Sequence, residues 1–421
     1  MKNRPIAIDL FSGCGGMSLG LEAAGFDIAA SVEIDPVHAL VHHYNFPYGV
    51  TLCRDISEIS SQELLSAIAK RGFTGEIDLI AGGPPCQGFS HMGKRQLDDP
   101  RNKLVFEYLR IVLEIQPKYF IFENVPGIIT GNHKLFLTEL IALIEDNNYS
   151  LVKPIQVLDA AAYGAPQKRK RLILIGYRND VAPPTYPLAT YSNNRENCDL
   201  QPPNTVRDAI ADLSTIPVFI GCDRGIAAEI LDYSEFRSSF DIQPKQNYCF
   251  CHQRTQKNIV WGHLGSKHTA KTIQRFTQTI PGKIEQVSRF LKLSPDGLSN
   301  TLRAGTARNK GAHTAPRPIH YLIPRCISIR EAARLHTFPD WFEFHRTIWH
   351  GFREIGNAVI PLMAKSLGMS IINCLNVNLS SLEIRKLETI DDSILHYNLK
   401  LASDYWQVSQ DVIPKRNRLK T

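Results

Sequence analysis

Asp78-Leu79-Ile80-Ala81-Gly82-Gly83-Pro84-Pro85-Cys86-Gln87-Gly88-Phe89-Ser90 sets a short apolar run directly against a Gly/Pro turn that carries one cysteine. An apolar run stopped by such a turn reads as a buried strand. In an open α/β sheet, the residues just past a strand's carboxyl end face the crevice where ligands bind. Cys86 therefore reads as a thiol presented at that edge. A helix beginning soon after it would favour the thiolate, the reactive form, through its N-terminal dipole. An isolated cysteine in a strand-end turn is ordinarily a small buried apolar residue. Here two prolines before it and Gln87-Gly88-Phe89-Ser90 after it fix the backbone around a single reactive atom, which points to a functional thiol.

The flanking sequence supplies the rest of such a sheet. Ile6 to Phe11 is a short apolar strand that runs into Ser12-Gly13-Cys14-Gly15-Gly16-Met17-Ser18-Leu19-Gly20, followed by helical spacing through Leu21, Ala24 and Phe26. Strand, glycine turn and helix form a nucleotide-binding unit, although Ser18 stands where the dinucleotide fingerprint has its third glycine. The strand Asp27 to Val32 ends at Glu33-Ile34-Asp35, and another near Val50 to Cys53 ends at Arg54-Asp55-Ile56. An acid at the end of the second strand is where such folds grip a ribose; Asp35 reads equally well as a helix cap. Past Cys86, residues 91–102 read as a long polar loop placed to act as a lid, and an amphipathic helix is expected from about Lys103 to Glu114. Tyr119 to Phe122 is a buried parallel strand that delivers Glu123-Asn124-Val125 to the edge that holds Cys86. Burying an unpaired carboxylate is costly, so Glu123 is either ion-paired or a proton donor. In Gln167-Lys168-Arg169-Lys170-Arg171, extended alternation puts Gln167, Arg169 and Arg171 on one face.

Composition is that of an ordinary globular protein: 421 residues, 43% hydrophobic and 21% charged. No apolar run approaches the roughly 20 residues that span a bilayer, and we read no signal peptide. Nine scattered cysteines suggest free thiols in a reducing compartment. Cys249-Phe250-Cys251-His252 lacks the second pair a zinc site needs, so no metal is expected. The net charge of +7 is concentrated: residues 254–317 hold twelve Lys/Arg against two acids, which leaves the remainder slightly acidic. Such a run is either a solvated face or a surface for a polyanion. Prolines at 183, 184, 187, 202 and 203 break the pattern after Tyr177. We therefore expect a catalytic part at 1–178, a second, smaller and irregular domain at 179–325, a return to the first at 326–379, and an extension of unassigned role at 380–421. Within the second domain, Thr301-Leu302-Arg303-Ala304-Gly305-Thr306 is a phosphate- or base-contacting turn or an ordinary surface turn. Helix is expected at Ser328 to His336 and again from the Gly351-to-Pro361 stretch through Cys374.

Taken in order, the cofactor turn, Pro-Pro-Cys-Gln, Glu-Asn-Val, Gln-x-Arg-x-Arg and Gly-Asn-Ala-Val resemble the cytosine-C5 DNA methyltransferases, from Asp9 to Arg171 and again from about Arg325 to Leu367. The resemblance implies an α/β, Rossmann-like sheet with helices on both faces, plus a target-recognition domain. It implies S-adenosylmethionine as cofactor, bound by Phe11, Gly13, Gly15, Gly16, Glu33, Ile34, Asp55, Ile56, Pro85, Leu104, Asn357 and Val359. It implies Cys86 as nucleophile, Glu123 as the acid at ring N3 and Arg169 on the cytosine O2, with Gln87, Ser90, Arg171 and Arg303 against DNA. The size and layout look like a stand-alone prokaryotic modification enzyme: a cytoplasmic monomer acting on double-stranded DNA, away from any membrane, with a restriction endonuclease of the same site as partner. A tRNA cytosine-5 methyltransferase would keep the same thiol chemistry. A non-catalytic DNA-binding relative would have no need of Cys86, Glu123 and Arg169 together, and a nicotinamide-dependent dehydrogenase leaves Pro84 to Cys86 unexplained.

Overall fold

The structure is a computed structural model and describes residues 4–85, 103–129, 133–192, 200–221, 226–227, 259–305, 316–378 and 390–413. Nine of its first segments alternate as the hydrophobic pattern requires: β1 (Ile6–Leu10), α1 (Gly16–Ala24), β2 (Asp27–Glu33), α2 (Pro36–Asn45), β3 (Val50–Cys53), α3 (Ser61–Lys70), β4 (Leu79–Gly82), α4 (Lys103–Ile115) and β5 (Tyr119–Asn124). After α5 (His133–Glu145) come β6 (Tyr149–Leu151), β7 (Gln156–Asp159) and β8 (Lys170–Arg178). The strands lie in the order β3-β2-β1-β4-β5-β8-β6, with β7 also on β8. The first five are mutually parallel, and β8 runs antiparallel to β5. Strand order reverses on either side of β1, so the crevice of this sheet opens where β1 and β4 end. β4 is the run quoted at the outset.

Strands β1, β4 and β5 are buried along their whole length, as expected for a parallel sheet covered on both faces. One face packs on α3, α4 and α5 through Ile8, Ile80, Val112, Phe122 and Leu140. The other packs on α1 and on the helix Pro361–Cys374 through Ala7, Leu79, Leu21, Met363 and Leu367. These two helices touch closely because Gly20 faces Ala364 and the Pro361 carbonyl, where any Cβ would overlap. The stretch Ile348–Cys374 is long and apolar enough by composition to cross a membrane, but it is broken into Ile348–Asn357 and Pro361–Cys374, and most of it is covered by protein.

The second domain separates less cleanly than its composition suggests. Residues 181–190 remain on the catalytic sheet: the Tyr119 hydroxyl donates to the Ala182 carbonyl (3.0 Å), Tyr186 to Ile173 (2.7 Å) and Tyr163 to Pro187 (3.0 Å). Val206, Ile210, Leu264, Leu293 and Leu302 share a core with Ile329, Phe338 and Phe342. Proline marks irregular backbone here, while the apolar side chains between the prolines still bury against the catalytic part. The helix expected near Ser328 is Ile329–Leu335, capped reciprocally by Ser328 and Glu331.

Candidate active site

A cavity of about 550 Å³ opens at the carboxyl ends of β1, β2, β4 and β5. Its wall is continuous with strand-end backbone, so each side chain is aimed by the sheet. Phe11, the residue after β1, has φ of +61°, which costs a bulky residue roughly 1–2 kcal/mol. The turn is held by Ser12 N–H on the Val32 carbonyl (3.1 Å) and Gly15 N–H on the Ser12 carbonyl (2.9 Å). Phe11 thereby lines the cavity, as do Gly13, Glu33, Ile34, Pro85, Asn357 and Val359. Glu33 is fixed by two backbone donors, Gly13 N–H to Oε2 and Asp35 N–H to Oε1, both at 2.8 Å. Burial raises its carboxyl to about 7 against those hydrogen bonds.

Several expected residues stand elsewhere. Gly15 and Gly16 shape the turn from behind: Gly15 has φ of +103° and lies against the Phe46 ring, and Gly16 lies against the Val359 carbonyl. Asp55 caps the turn Ile56–Glu58, its Oδ1 accepting from the N–H and hydroxyl of Ser57 at 2.9 Å each. Ile56 is buried in the core and Leu104 packs against it, and neither lines the cavity. A strand-end acid is as readily a cap as a ligand, and Asp55 is a cap just as Asp35 is. Asp35 does both: it accepts from Val37 N–H (3.1 Å) and lines the cavity within 3.5 Å of Arg353.

The opposite wall carries Glu123 and Asn124 at the end of β5. Glu123 is only 9% exposed and its Oε1 pairs with Arg171 Nε at 2.6 Å. Asn124 Nδ2 donates to the Pro84 carbonyl (3.1 Å), tying the end of β5 to the turn after β4. A Cβ at Gly83 would lie 2.7 Å from Glu123 Oε2, so any larger residue there would displace that carboxylate. Cys86, Gln87, Ser90, the expected lid at 91–102 and the Cys249-to-His252 cluster lie outside the described residues. Pro85, covalently joined to Cys86, is on the cavity wall.

The two arginines differ in what they touch. Arg169 is 2% exposed, with Nη1 donating to Leu302 (3.1 Å) and Nη2 to Gly356 (3.1 Å) and Ala358 (3.0 Å), all backbone carbonyls. Gln167, fully buried, likewise bonds the Leu335 carbonyl and Leu302 N–H. Both residues therefore join the approach to β8 to the segments that return over it; Arg169 and Arg171 both line the cavity, and the one paired with Glu123 is Arg171. Alternation put both on one face, but depth along that face distinguishes them, and spacing carries no information on depth.

Sequence reasoning missed Asp9, Ser12, His38, Arg353, Ala304 and Ile413, all on the cavity wall. Ser12 adjoins the glycine turn and was findable there; its Oγ is buried with no hydrogen-bond partner. Asp9 accepts from the Ser18 N–H (3.1 Å) and hydroxyl (2.5 Å), which explains a serine at the fingerprint's third glycine. Burial raises the Asp9 carboxyl to about 7. Arg303 is exposed beside Ala304 and Gly305 at the rim. Of the basic run, Lys292 is buried on the Phe276 carbonyl (2.9 Å), Arg275 pairs with Glu285 (3.1 Å) and Arg317 stacks on Phe352 (4.5 Å to the ring centre). Lys267, Lys271, Lys283, Arg289 and Arg303 are its exposed members among the described residues. No cluster of metal-ligating side chains occurs among the described residues.

Comparison with known proteins is consistent with this geometry. A family model described as C-5 cytosine-specific DNA methylase matches residues 6–373. Type II methyltransferase M.XorII of Xanthomonas oryzae pv. oryzae is 43% identical over 99% of this chain and 95% of its own length. Type II methyltransferase M1.HphI of Haemophilus parahaemolyticus is 32% identical over 88% of this chain and 87% of its own. The crystal structure of a DNA modification methyltransferase encoded within an E. coli prophage superposes with a TM-score of 0.73 at 33% identity, covering 89% of this chain and all of that one. The S. pombe Dnmt2 methyltransferase shares the fold, with a TM-score of 0.55 at 17% identity.

Proposed function

Because the chain belongs to the C-5 cytosine-specific DNA methylase family, and so methylates carbon 5 of cytosine at specific DNA sites, we propose that its 550 Å³ cavity holds S-adenosylmethionine on one wall and receives a flipped-out cytosine on the other. The observation that carries this reading is the Glu123–Arg171 pair set against the turn that leads into Cys86. The cavity is the size of a small-molecule site, and its donor set suits a nucleoside joined to an amino acid. Glu33 offers a fixed carboxylate to a ribose diol, Phe11 and Val359 offer apolar surface, and the unpartnered Ser12 Oγ awaits a polar atom. When bound, the cofactor supplies an electrophilic methyl group on a sulfonium.

Carbon 5 of cytosine is a poor nucleophile. Addition of the Cys86 thiolate to carbon 6 forms an S–C bond and moves electron density to carbon 5, which would then take the methyl group as the methyl–sulfonium bond breaks and a neutral thioether leaves. Glu123 donates a hydrogen bond to N3 as negative charge develops there, and Arg171 holds Glu123 and the cytosine O2. Transfer of the carbon-5 proton to solvent lets that electron pair re-form the C5–C6 double bond, which expels the thiolate from carbon 6 and frees Cys86. Carbon 6 is hidden within a duplex, so the base must leave the stack at a cost of a few kcal/mol. The exposed cations from Lys267 to Arg303 serve the phosphate backbone. The enzyme works as a monomer beside a restriction endonuclease of the same site, a role supported by the Type II names of its relatives.

Expression in a methylation-deficient bacterium, followed by base-resolution mapping of 5-methylcytosine, tests the reading. Marks confined to one short DNA sequence are expected; an unmarked genome with methylated tRNA would overturn it. Glu123→Gln keeps a hydrogen-bonding group but removes the acid. It is expected to lower kcat about 10²–10³-fold with the KM for DNA changed less than threefold, because the acid acts in the transition state. Equal losses in kcat and DNA affinity would assign Glu123 to binding.

A further inference from the structure

Beyond the family match, the described segment 390–413 returns to the cofactor cavity. The match stops at residue 373, yet residues 390–406 are part of the core. Ile394, Leu395 and Ala402 are buried with Val37, Leu40 and Val41 of α2. Leu395 accepts from Arg346 N–H (2.9 Å), and the Tyr397 carbonyl accepts from His345 Nε2 (3.0 Å). The helix Leu399–Trp406 lies along α2, with the Trp406 indole N–H on the Pro36 carbonyl (3.1 Å). Pro36 directly follows Glu33-Ile34-Asp35, so this contact sits at the acidic end of the cavity.

From there the chain turns back. Gln407 ends the helix with φ of +56°, and Val408 N–H bonds the Ser403 carbonyl (3.0 Å). A turn closed by Val412 N–H on the Ser409 carbonyl (3.2 Å) carries the half-buried Ile413 onto the cavity wall. Asp35 and His38, which flank the start of α2, line the same cavity. An aliphatic side chain has nothing to offer a ribose diol or a carboxylate. What it can cover is the face of a purine.

We propose that Ile413 is a cofactor-binding residue that packs on the adenine of S-adenosylmethionine, the 390–413 segment being a wall that this chain adds to the family core. The proposal rests on reading the cavity as the methyl-donor site. Full-length wild type, Ile413→Val and Ile413→Asp are compared for binding of S-adenosylmethionine by calorimetry without DNA, and for the KM of S-adenosylmethionine and of DNA. Ile413→Asp is expected to raise the Kd and KM for the cofactor about tenfold, the scale of losing one buried aliphatic contact, with the KM for DNA within twofold. Ile413→Val stays within threefold. A chain ending at Gln410 keeps Ile394, Leu395 and Ala402, and is expected to hold its thermal midpoint while losing cofactor affinity by the same factor. Unchanged affinity in Ile413→Asp, or a midpoint that falls together with affinity, overturns the proposal. A wild type that binds no S-adenosylmethionine instead overturns the reading of the cavity itself.

Discussion

Replacing Cys86 by alanine is expected to abolish methyl transfer, by about 10⁴-fold or more, the scale on which removal of a nucleophile acts, while DNA binding changes less than threefold. Among the described residues, no other thiol lines the cavity. Among the described cysteines, Cys14 is buried behind the glycine turn with its thiol on the Glu354 carbonyl, and burial raises its pKa well above the ordinary range. Without addition at carbon 6, carbon 5 remains too weak a nucleophile for any pre-organisation by Glu123 and Arg171 to help. The phosphate contacts that dominate affinity do not involve the thiol. Incorporation of labelled methyl into DNA and a mobility-shift titration on the same preparations separate the two effects. Turnover within tenfold of wild type would remove Cys86 from the mechanism.

The second large effect divides Arg171 from Arg169. Arg171→Ala leaves Glu123 without its cation and the cytosine O2 without a donor, and is expected to lower kcat by about 10²–10³ with little change in thermal midpoint. Arg169→Ala should act oppositely on stability. It strands the buried carbonyls of Leu302 and Gly356, where each unmade hydrogen bond costs about 1–3 kcal/mol, while the Ala358 carbonyl keeps the His336 ring. The loss of about 3 kcal/mol or more appears as a lower denaturant midpoint, and any activity lost follows the folded fraction. Measuring kcat and unfolding on both variants decides the assignment: a stable, inactive Arg169→Ala beside an active Arg171→Ala would return the catalytic role to Arg169.

These cases show where sequence reading reaches. Glu33, Glu123 and the Pro84–Pro85 turn were legible because each lies at or just past the carboxyl end of a strand, and a parallel sheet brings all such ends to one edge. Asp55 obeyed the same local pattern and became a cap, since its own turn offers the Ser57 donors first. Residues just past 179 stay on the catalytic part for a related reason. Proline-rich sequence reports on local backbone, whereas Tyr186 bonds the Ile173 carbonyl of the sheet and Leu302 buries in a core shared with residues 329–344.

By itself, then, the order of apolar runs, glycine turns and strand-end acids determined the sheet, its open edge and the residue types gathered there, because those depend on periodicity and on local backbone preference. Only the tertiary structure decided which arginine faces Glu123 and which is enclosed by the backbone of 302 and 356–358, and that the chain's last segment returns to place Ile413 on the cavity. Those outcomes depend on depth and on contacts between residues that are tens to hundreds of positions apart. Burial of the whole chain sets them, and no local pattern encodes it.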